Sequence, residues 1–309
     1  MLRIENAGRI PRRARCVPAR FSYVITHMHC PSCRQYAADH LLNCPSCGVH
    51  IGFPNVRKAT EDRNQRQLRF RYAEARTSLL TRGTWQIAQQ FERLVAQSSR
   101  AILARWAILV QNAVEQDGGV FLKYYQQVNA GRRQPQNNAH DIQRQAIDAT
   151  FFPYYFEQIT FLALSLGNRG IEYYGDFHFA YNPQKISSRT SVFEKNSLSF
   201  ARENKMVAGD SGCTAGFMSA WEQRGVLSLC KLNAKITPQM QQSDFPGLLL
   251  DSTSAEDADF VECHVHGAVG FQGLDEVTCR PATTDEKRVT QLRVIRLLRQ
   301  QGIETKEVP

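Results

Sequence analysis

Four cysteines are the residues of this 309-residue chain whose types and spacing point most directly to a chemistry. They form two Cys-x-x-Cys pairs that are separated by ten residues: Cys30, Cys33, Cys44 and Cys47. A Cys-x-x-Cys turn directs two thiolates to one metal ion, and zinc prefers four such ligands in a tetrahedral shell. Gly48 follows the second pair and can adopt the positive φ that such turns often use. The spacing therefore predicts one structural Zn²⁺ ion in a small zinc ribbon.

A second group of potential functional side chains lies in the segment Phe260–His266. Alternation along a β-strand would place three of them on one face: Glu262, His264 and His266. They could bind a catalytic metal ion, because two histidines two residues apart on a strand are a common ligand pair. They could also form an active site centred on the glutamate, with the histidines as hydrogen-bond donors. A third interpretation is an edge strand whose polar face is in water.

Polar residues are also dense in an earlier stretch, which runs from Tyr173-Tyr174-Gly175 through a predicted strand to the Arg189–Ser197 segment. This Tyr-Gly strand, the Arg-Thr-Ser element that follows it and the late strand carrying Glu262 together resemble the Arg-Ser-Glu class of mono-ADP-ribosyltransferases. That class includes bacterial toxins and effectors. The resemblance covers about residues 150–309 and implies an ADP-ribosyltransferase-like mixed β domain that uses NAD⁺ as a substrate.

The resemblance implies roles for individual residues. Arg189 would hold the NAD phosphates or ribose, Ser191 would support the nicotinamide pocket, and Glu262 would be the catalytic glutamate. Arg169 is a rival for the arginine, because the arginine of this class normally lies on an earlier strand than the serine. Further residues would line the NAD site: Tyr174, Gly175, Glu194, Asn196, Ser197, His264 and His266. Phe260 occupies the position where the class often has Gln or Glu, so arginine-directed specificity is not implied.

These residue types suit cleavage of the bond between nicotinamide and the ribose C1′ atom. That cleavage passes through an oxocarbenium-like state, as glycoside hydrolysis does. A carboxylate near the ribose 2′-hydroxyl would stabilise the positive charge, and an arginine would clamp the pyrophosphate.

The elements that must position these residues follow from the hydrophobic pattern. Apolar residues recur at helical spacing from Arg57 to Asn129, with a long exposed helix over Arg57–Arg82, and Ala130–His140 has the composition of a linker. A buried helix is predicted over Phe151–Leu166. Strands are predicted at Gly175–Tyr181, Val226–Leu232 and Phe260–His266, before a closing helix, Lys287–Gln301, with Leu292, Ile295 and Leu298 inward.

The predicted fold class is α+β, with four segments along the chain. They are a basic arm (1–22), the zinc ribbon (23–56), a helical region (57–149) and an α+β catalytic domain (150–309). The composition is that of a globular protein, 42% hydrophobic and 22% charged. No apolar run approaches the roughly 18 residues that a membrane span needs, and no secretory signal is present, so the cytoplasm is the expected location.

Positive charge is concentrated at the front of the chain. Residues 1–82 contain fifteen Lys and Arg against five Asp and Glu, whereas the whole chain has a net charge of +9. A basic front on a nearly neutral body suggests a partner such as nucleic acid, an anionic membrane surface or an acidic protein. The alternative is a solvated arm and helix face that has no partner.

Three functions fit these features. The first is NAD-dependent mono-ADP-ribosyl transfer to a macromolecular acceptor, a protein in preference to a nucleic acid, in the cytoplasm or after delivery into a host cell. The second is a zinc-ribbon protein that binds nucleic acid through its basic front. The third is a metal-dependent hydrolase that uses the Glu-x-His-x-His strand.

Overall fold

The computed structural model describes residues 27–131, 139–206, 214–250 and 258–308, which form a mixed α+β fold with the cysteine cluster at its start. The strands are β1 (His27–His29), β2 (Tyr36–Ala38), β3 (Arg100–Arg105), β4 (Val120–Phe121), β5 (Ile159–Ser165), β6 (Phe177–Tyr181), β7 (Thr190–Phe193), β8 (Met218–Ala220), β9 (Glu262–His266), β10 (Val269–Gly270), β11 (Leu274–Cys279) and β12 (Thr305–Glu307). The helices are α1 (Pro54–Thr60), α2 (Asp62–Thr81), α3 (Trp85–Ser98), α4 (Ala107–Glu115), α5 (Tyr124–Asn129), α6 (Ala139–Phe151), α7 (Pro183–Ile186), α8 (Ser197–Glu203), α9 (Arg224–Leu232), α10 (Phe245–Leu249) and α11 (Asp285–Gln300).

Eight of these strands build the main sheet, in the order β12-β11-β6-β3-β5-β9-β7-β8. Neighbouring strands are antiparallel, except that β11 and β12 run parallel. The hairpin β1–β2 belongs to the cysteine module, and the short strands β4 and β10 pair with each other beside the sheet. This order makes β9, between β5 and β7, an interior strand.

Helices cover both faces of the sheet. On one face, apolar side chains such as Leu103, Leu164 and Cys263 belong to a large cluster with α2, α3, α4, α9, α10 and α11. The other face carries Phe161 and Phe193, together with Glu262 and His264, and we call it the site face. Its apolar cluster is completed by residues of α1, α6 and α8.

The strands predicted at Gly175–Tyr181 and Phe260–His266 are confirmed as β6 and β9, and both are buried throughout. The helical interpretation of residues 57–129 is wrong at Arg100–Arg105, which forms β3 near the centre of the sheet. The helix predicted over Phe151–Leu166 is wrong as well, because residues Ile159–Ser165 of this stretch form β5. A short apolar run that is buried on both sides fits a central strand as well as a buried helix, so periodicity does not separate the two.

The reverse error occurs at Val226–Leu232, which was predicted as a strand and lies in α9. Gly225 lets this helix pack closely on α3, because a Cβ atom there would lie 2.5 Å from the Glu92 carbonyl oxygen. The closing helix is confirmed as α11, with Leu298 fully buried and Ile295 packed against the core. Leu292 is not inward, since it is 47% exposed.

Some predictions fall partly or wholly outside the described residues. The basic arm (1–22) does so entirely, and so does most of the Ala130–His140 linker. The long helix predicted over Arg57–Arg82 is divided into α1 and α2 by a break at Glu61, and α2 exposes most of its charged side chains. None of the helices in the described part of the chain has the length and apolar character needed to cross a membrane.

Candidate active site and metal centre

The four cysteines converge on one point, as their spacing predicts. The Cys30 and Cys47 sulfurs are 3.7 Å apart, and the Cys33 and Cys44 sulfurs are 3.6 Å apart. All four Sγ atoms lie within 4.8 Å of one another, and none is in a disulfide. Gly48 has φ +73°, the left-handed conformation that closes the second turn. Four sulfurs at these separations could hold a metal ion.

Helix α1 joins the cysteine module to the sheet. The Arg57 guanidinium donates hydrogen bonds to four backbone carbonyls of the module, those of Asp39, Leu41, Ile51 and Gly52. Two residues earlier, the buried Asn55 amide donates to the Ser191 hydroxyl at 3.3 Å and to the His264 carbonyl at 2.8 Å. The module is therefore tied to β7 and β9 through one short helix.

Strand β9 carries Glu262, His264 and His266 on the site face, as strand alternation predicts. All three side chains are at least 95% buried, and the opposite side of β9 packs Cys263 and Val265 into the main core. The interpretation as an edge strand with a wet polar face is thus wrong, because β5 and β7 flank β9 on both sides. Burying these polar groups away from water costs free energy of folding unless each group is hydrogen-bonded, ion-paired or bound to a ligand.

The Glu262 carboxylate has two hydrogen-bond donors. Its Oε2 atom accepts from the Ser197 backbone N–H at 3.0 Å and lies 2.9 Å from Nε2 of His264. An ionised carboxylate only accepts, so the Nε2 atom of His264 must carry the proton in this pair. Ser197 begins α8, and the Asn196 side chain caps that helix by accepting from the backbone N–H groups of Leu198 and Ser199.

Aromatic rings enclose the histidine of this pair. The His264 ring centroid lies 4.8 Å from that of Phe152 and 5.3 Å from that of Phe161. Its Nδ1 atom is buried and has no hydrogen-bond partner. The aromatic wall keeps water from the imidazole and strengthens its interaction with the carboxylate.

Three further polar residues form a connected group near Glu262, and sequence reasoning missed them. Arg144 and Asp148 lie one turn apart on α6, with 3.5 Å between Nε and Oδ2, and the Tyr125 hydroxyl donates to the same Oδ2 at 2.8 Å. Burial raises the pKa of Asp148, and the Glu262 charge raises it further. The Arg144 guanidinium lies 5.4 Å from the Phe161 ring centroid. In a sequence, an arginine and an aspartate four residues apart are typical of a solvated helix face, so they did not indicate a functional site.

Tyr174 lies close to the same group, as the resemblance implied. Burial raises the pKa of its hydroxyl, and the charge of Glu262 adds to that effect. The Asn196 amide reaches the Tyr174 hydroxyl at 3.4 Å. The structure therefore brings together Glu262, His264, Ser197, Asn196 and Tyr174 from the predicted set.

Arg189 and Ser191 occupy other positions on the same face. The Nη1 atom of Arg189 donates to the carbonyls of His266 at 2.7 Å and Ala268 at 3.0 Å, at the far end of β9. Ser191 pairs in register with His264, whereas Phe193 is the residue opposite Glu262. Arg189 is thus not beside Glu262. The rival Arg169 is exposed, in the connection between β5 and β6.

Two predicted site residues have structural contacts instead. A Cβ atom on Gly175, which has φ +145°, would lie 2.0 Å from the carbonyl carbon of Arg105, so only glycine fits against the end of β3. Glu194 forms an ion pair with Arg71 of α2 at 2.6 Å. Neither residue reaches Glu262.

The donor atoms of the three β9 side chains do not converge on one point. Among the described residues, the four cysteines are the one group of three or more potential ligands whose donor atoms converge. Glu262 and His264 are hydrogen-bonded to each other, and His266 lies one pleat further along the strand. This arrangement does not support the interpretation as a metal-dependent hydrolase.

Two buried histidines on the site face predict how stability depends on pH. Burial lowers the pKa of His178 and of His266 to about 4, helped by the positive charges of Arg280 and Lys123 respectively. An unfolded histidine titrates near 6.5, so between these values the unfolded state binds the extra protons. Stability should therefore be complete above pH 6.5 or so and fall as the pH drops towards about 4.

The variant His178→Gln removes one of the two histidines, so its pH dependence shows how much of the stability loss is due to protonation of His178. Each histidine can contribute a slope of up to about 1.4 kcal/mol per pH unit. We expect urea unfolding between about pH 7 and pH 5 to show a shallower loss of stability in the variant than in the wild type. An unchanged slope would mean that His178 is accessible to protons in the folded protein.

The candidate active site thus has an acidic part and an aromatic wall. Arg144 pairs with Asp148, and the charge of Glu262 also acts on it, so two carboxylates lie near one guanidinium and the group favours a ligand atom that bears positive charge. Comparisons with protein-family models and with curated proteins find no match to this chain.

Proposed function

We propose that this protein is an NAD-dependent mono-ADP-ribosyltransferase whose catalytic glutamate is Glu262. The observation that carries the proposal is the buried Glu262 carboxylate, held by the Ser197 backbone N–H and the His264 imidazole on an interior strand. Burying a carboxylate with only two donors is costly, and a hydrophobic residue would pack this position at lower cost. A preorganised charge of this kind suits an active site, where it stabilises positive charge that develops in a transition state.

The proposed reaction suits a preorganised negative charge. The bond between the ribose C1′ atom and the nicotinamide nitrogen breaks, and its electron pair neutralises the pyridinium ring. Positive charge then develops on the ribose, where the Glu262 carboxylate stabilises it. A nucleophile of the acceptor forms the new bond to C1′ and releases one proton. His264 keeps the carboxylate in position, and Tyr174, bonded to Asn196, lies near it.

The metal in this proposal is zinc with a structural role. Four thiolates would fill the tetrahedral shell, which leaves no open position for catalysis. The cysteine module is also tied to β7 and β9 by α1, so its folding would help to fix one side of the site face.

The acceptor in this proposal is a macromolecule, a protein in preference to a nucleic acid, in the cytoplasm or in a host cell. Exposed arginines on α2 offer a docking surface for an acidic partner: Arg63, Arg66, Arg69 and Arg76. The second candidate, a zinc-ribbon protein that binds nucleic acid, would use the same surface.

Nicotinamide release tests the proposal directly. Full-length protein with zinc is incubated with NAD labelled in its adenine, with and without cell lysate. We expect slow release of nicotinamide alone, and in lysate faster release with label transferred to protein. Absence of both products at high enzyme concentration would contradict the proposal, and salt-sensitive binding of RNA or DNA would then favour the second candidate.

A further inference from the structure

Positive charge collects at the far end of β9, on the same face as Glu262. The pairing of β4 with β10 sets Phe121 opposite Val269, which places Lys123 beside the segment that follows β9. The Arg189 guanidinium reaches this segment from the turn before β7 and bonds to the His266 and Ala268 carbonyls. Lys123, Arg189 and His266 are therefore neighbours, although they are far apart in sequence.

Lys123 is an unusual lysine because it is only 8% exposed. Within the described ranges its ammonium forms no ion pair with a carboxylate. The nearest acidic influence is the exposed Glu157, and burial still lowers the pKa of Lys123 to about 8. Burial of most of the lysine side chain disfavours its charged form, and an external anion would stabilise that form.

His266 adds a donor to the same place. It is 4% exposed, and its Nε2 atom is buried without a hydrogen-bond partner. Arg189 uses Nη1 for two carbonyls, which fixes the guanidinium in position while it remains partly exposed. The region thus combines two cations, of which Arg189 is fixed by carbonyls, with an imidazole nitrogen that lacks a partner.

We infer that Lys123, Arg189 and His266 form a binding site for a phosphate group. A phosphate oxygen accepts from ammonium, guanidinium and imidazole N–H groups alike, and its negative charge compensates the buried lysine. The carrier that fits best is the pyrophosphate of a dinucleotide whose reactive ribose lies at Glu262, about 13 Å away along the strand at 3.3 Å per residue. This choice of carrier rests on the proposed function, whereas the phosphate chemistry does not.

Calorimetry on the full-length, zinc-containing protein tests the site with sodium pyrophosphate and with ADP-ribose. The main variant is Lys123→Met, which keeps the apolar stem and removes the charge, and His266→Gln is the second. The matched control is Lys287→Gln, an exposed lysine at the start of α11. We expect Lys123→Met and His266→Gln to weaken pyrophosphate binding about 10-fold or more, and the control to bind as the wild type does.

A stability measurement separates a binding role from a structural one. Lys123→Met should raise the thermal midpoint while it weakens binding, because the buried charge disappears together with the ligand contact. Equal pyrophosphate affinity in the wild type and in both folded variants would overturn the inference, and so would a wild type that does not bind pyrophosphate.

The outcomes also distinguish this site from the proposed function. Pyrophosphate binding that depends on Lys123, without any release of nicotinamide, would support the site and contradict the transferase. The opposite result is that the protein releases nicotinamide, while both variants keep the wild-type KM for NAD and the wild-type pyrophosphate affinity. That result would support the transferase and contradict the phosphate site. If ADP-ribose binds no more tightly than pyrophosphate, the phosphate site stands and its carrier is not the dinucleotide.

Discussion

Glu262→Gln is expected to lower NAD turnover by a factor on the order of 100–1,000 while NAD affinity changes little. The substitution keeps the shape of the side chain and an oxygen that can accept from the Ser197 N–H. It removes the negative charge that would oppose the developing oxocarbenium ion. Since that charge acts mainly in the transition state, the loss should appear in kcat rather than in KM.

The structure offers a matched control for this substitution. Glu222 is an exposed glutamate on the turn that precedes α9, and Glu222→Gln should leave turnover unchanged. The free energy of unfolding should not fall in Glu262→Gln, because a buried carboxylate becomes a neutral amide of the same size. Intact turnover in a folded Glu262→Gln protein would exclude Glu262 as the catalytic glutamate.

The local placement of side chains was the part of this molecule that the sequence predicted best. The cysteine cluster needs only two short turns and a fixed spacing, so its convergence follows from covalent geometry. The common face of Glu262, His264 and His266 follows from strand alternation alone. Both inferences depend on neighbours in the chain rather than on the fold.

The position of each element in the sheet could not be predicted in this way. β3 and β5 are apolar on both faces because both sides of their part of the sheet are covered, one by helices and the other by α6 and the connection between β5 and β6. This removes the alternation that marks a strand. The buried state of β9 depends on β5 and β7, which come from residues 159–165 and 190–193. A polar strand that is interior therefore looks like an edge strand in sequence.

The contacts between distant segments in the candidate site could not be predicted from the sequence either. Arg144 and Asp148 approach Glu262 only because α6 packs across the site face, and Lys123 meets His266 only because β4 pairs with β10. The resemblance implied a contact of Arg189 with the NAD phosphates or ribose, and this stays a prediction. The chain places Arg189 at the end of β9 opposite to Glu262, where it binds carbonyls.

Cys44→Ser is expected to abolish tight metal binding and to destabilise the cysteine module by several kcal/mol. A serine hydroxyl does not replace a thiolate on zinc, and so small a module folds largely through its metal. We expect the wild type to contain about one zinc per chain and the variant to lose it to a mild chelator. Metal analysis after dialysis measures this loss, and proteolysis of the module reports its unfolding.

Cys230→Ser is the control, because Cys230 is a buried cysteine of α9 outside the module. It should lose some stability and keep its zinc. Arg57 holds four carbonyls of the module, and Asn55 on the same helix bonds to Ser191 and His264. The unfolding that follows zinc loss should therefore reach the site face, and the thermal midpoint of the whole chain should fall. A Cys44→Ser protein with a full complement of zinc would contradict the metal centre, whereas zinc loss with an unchanged midpoint would contradict only the connection through α1.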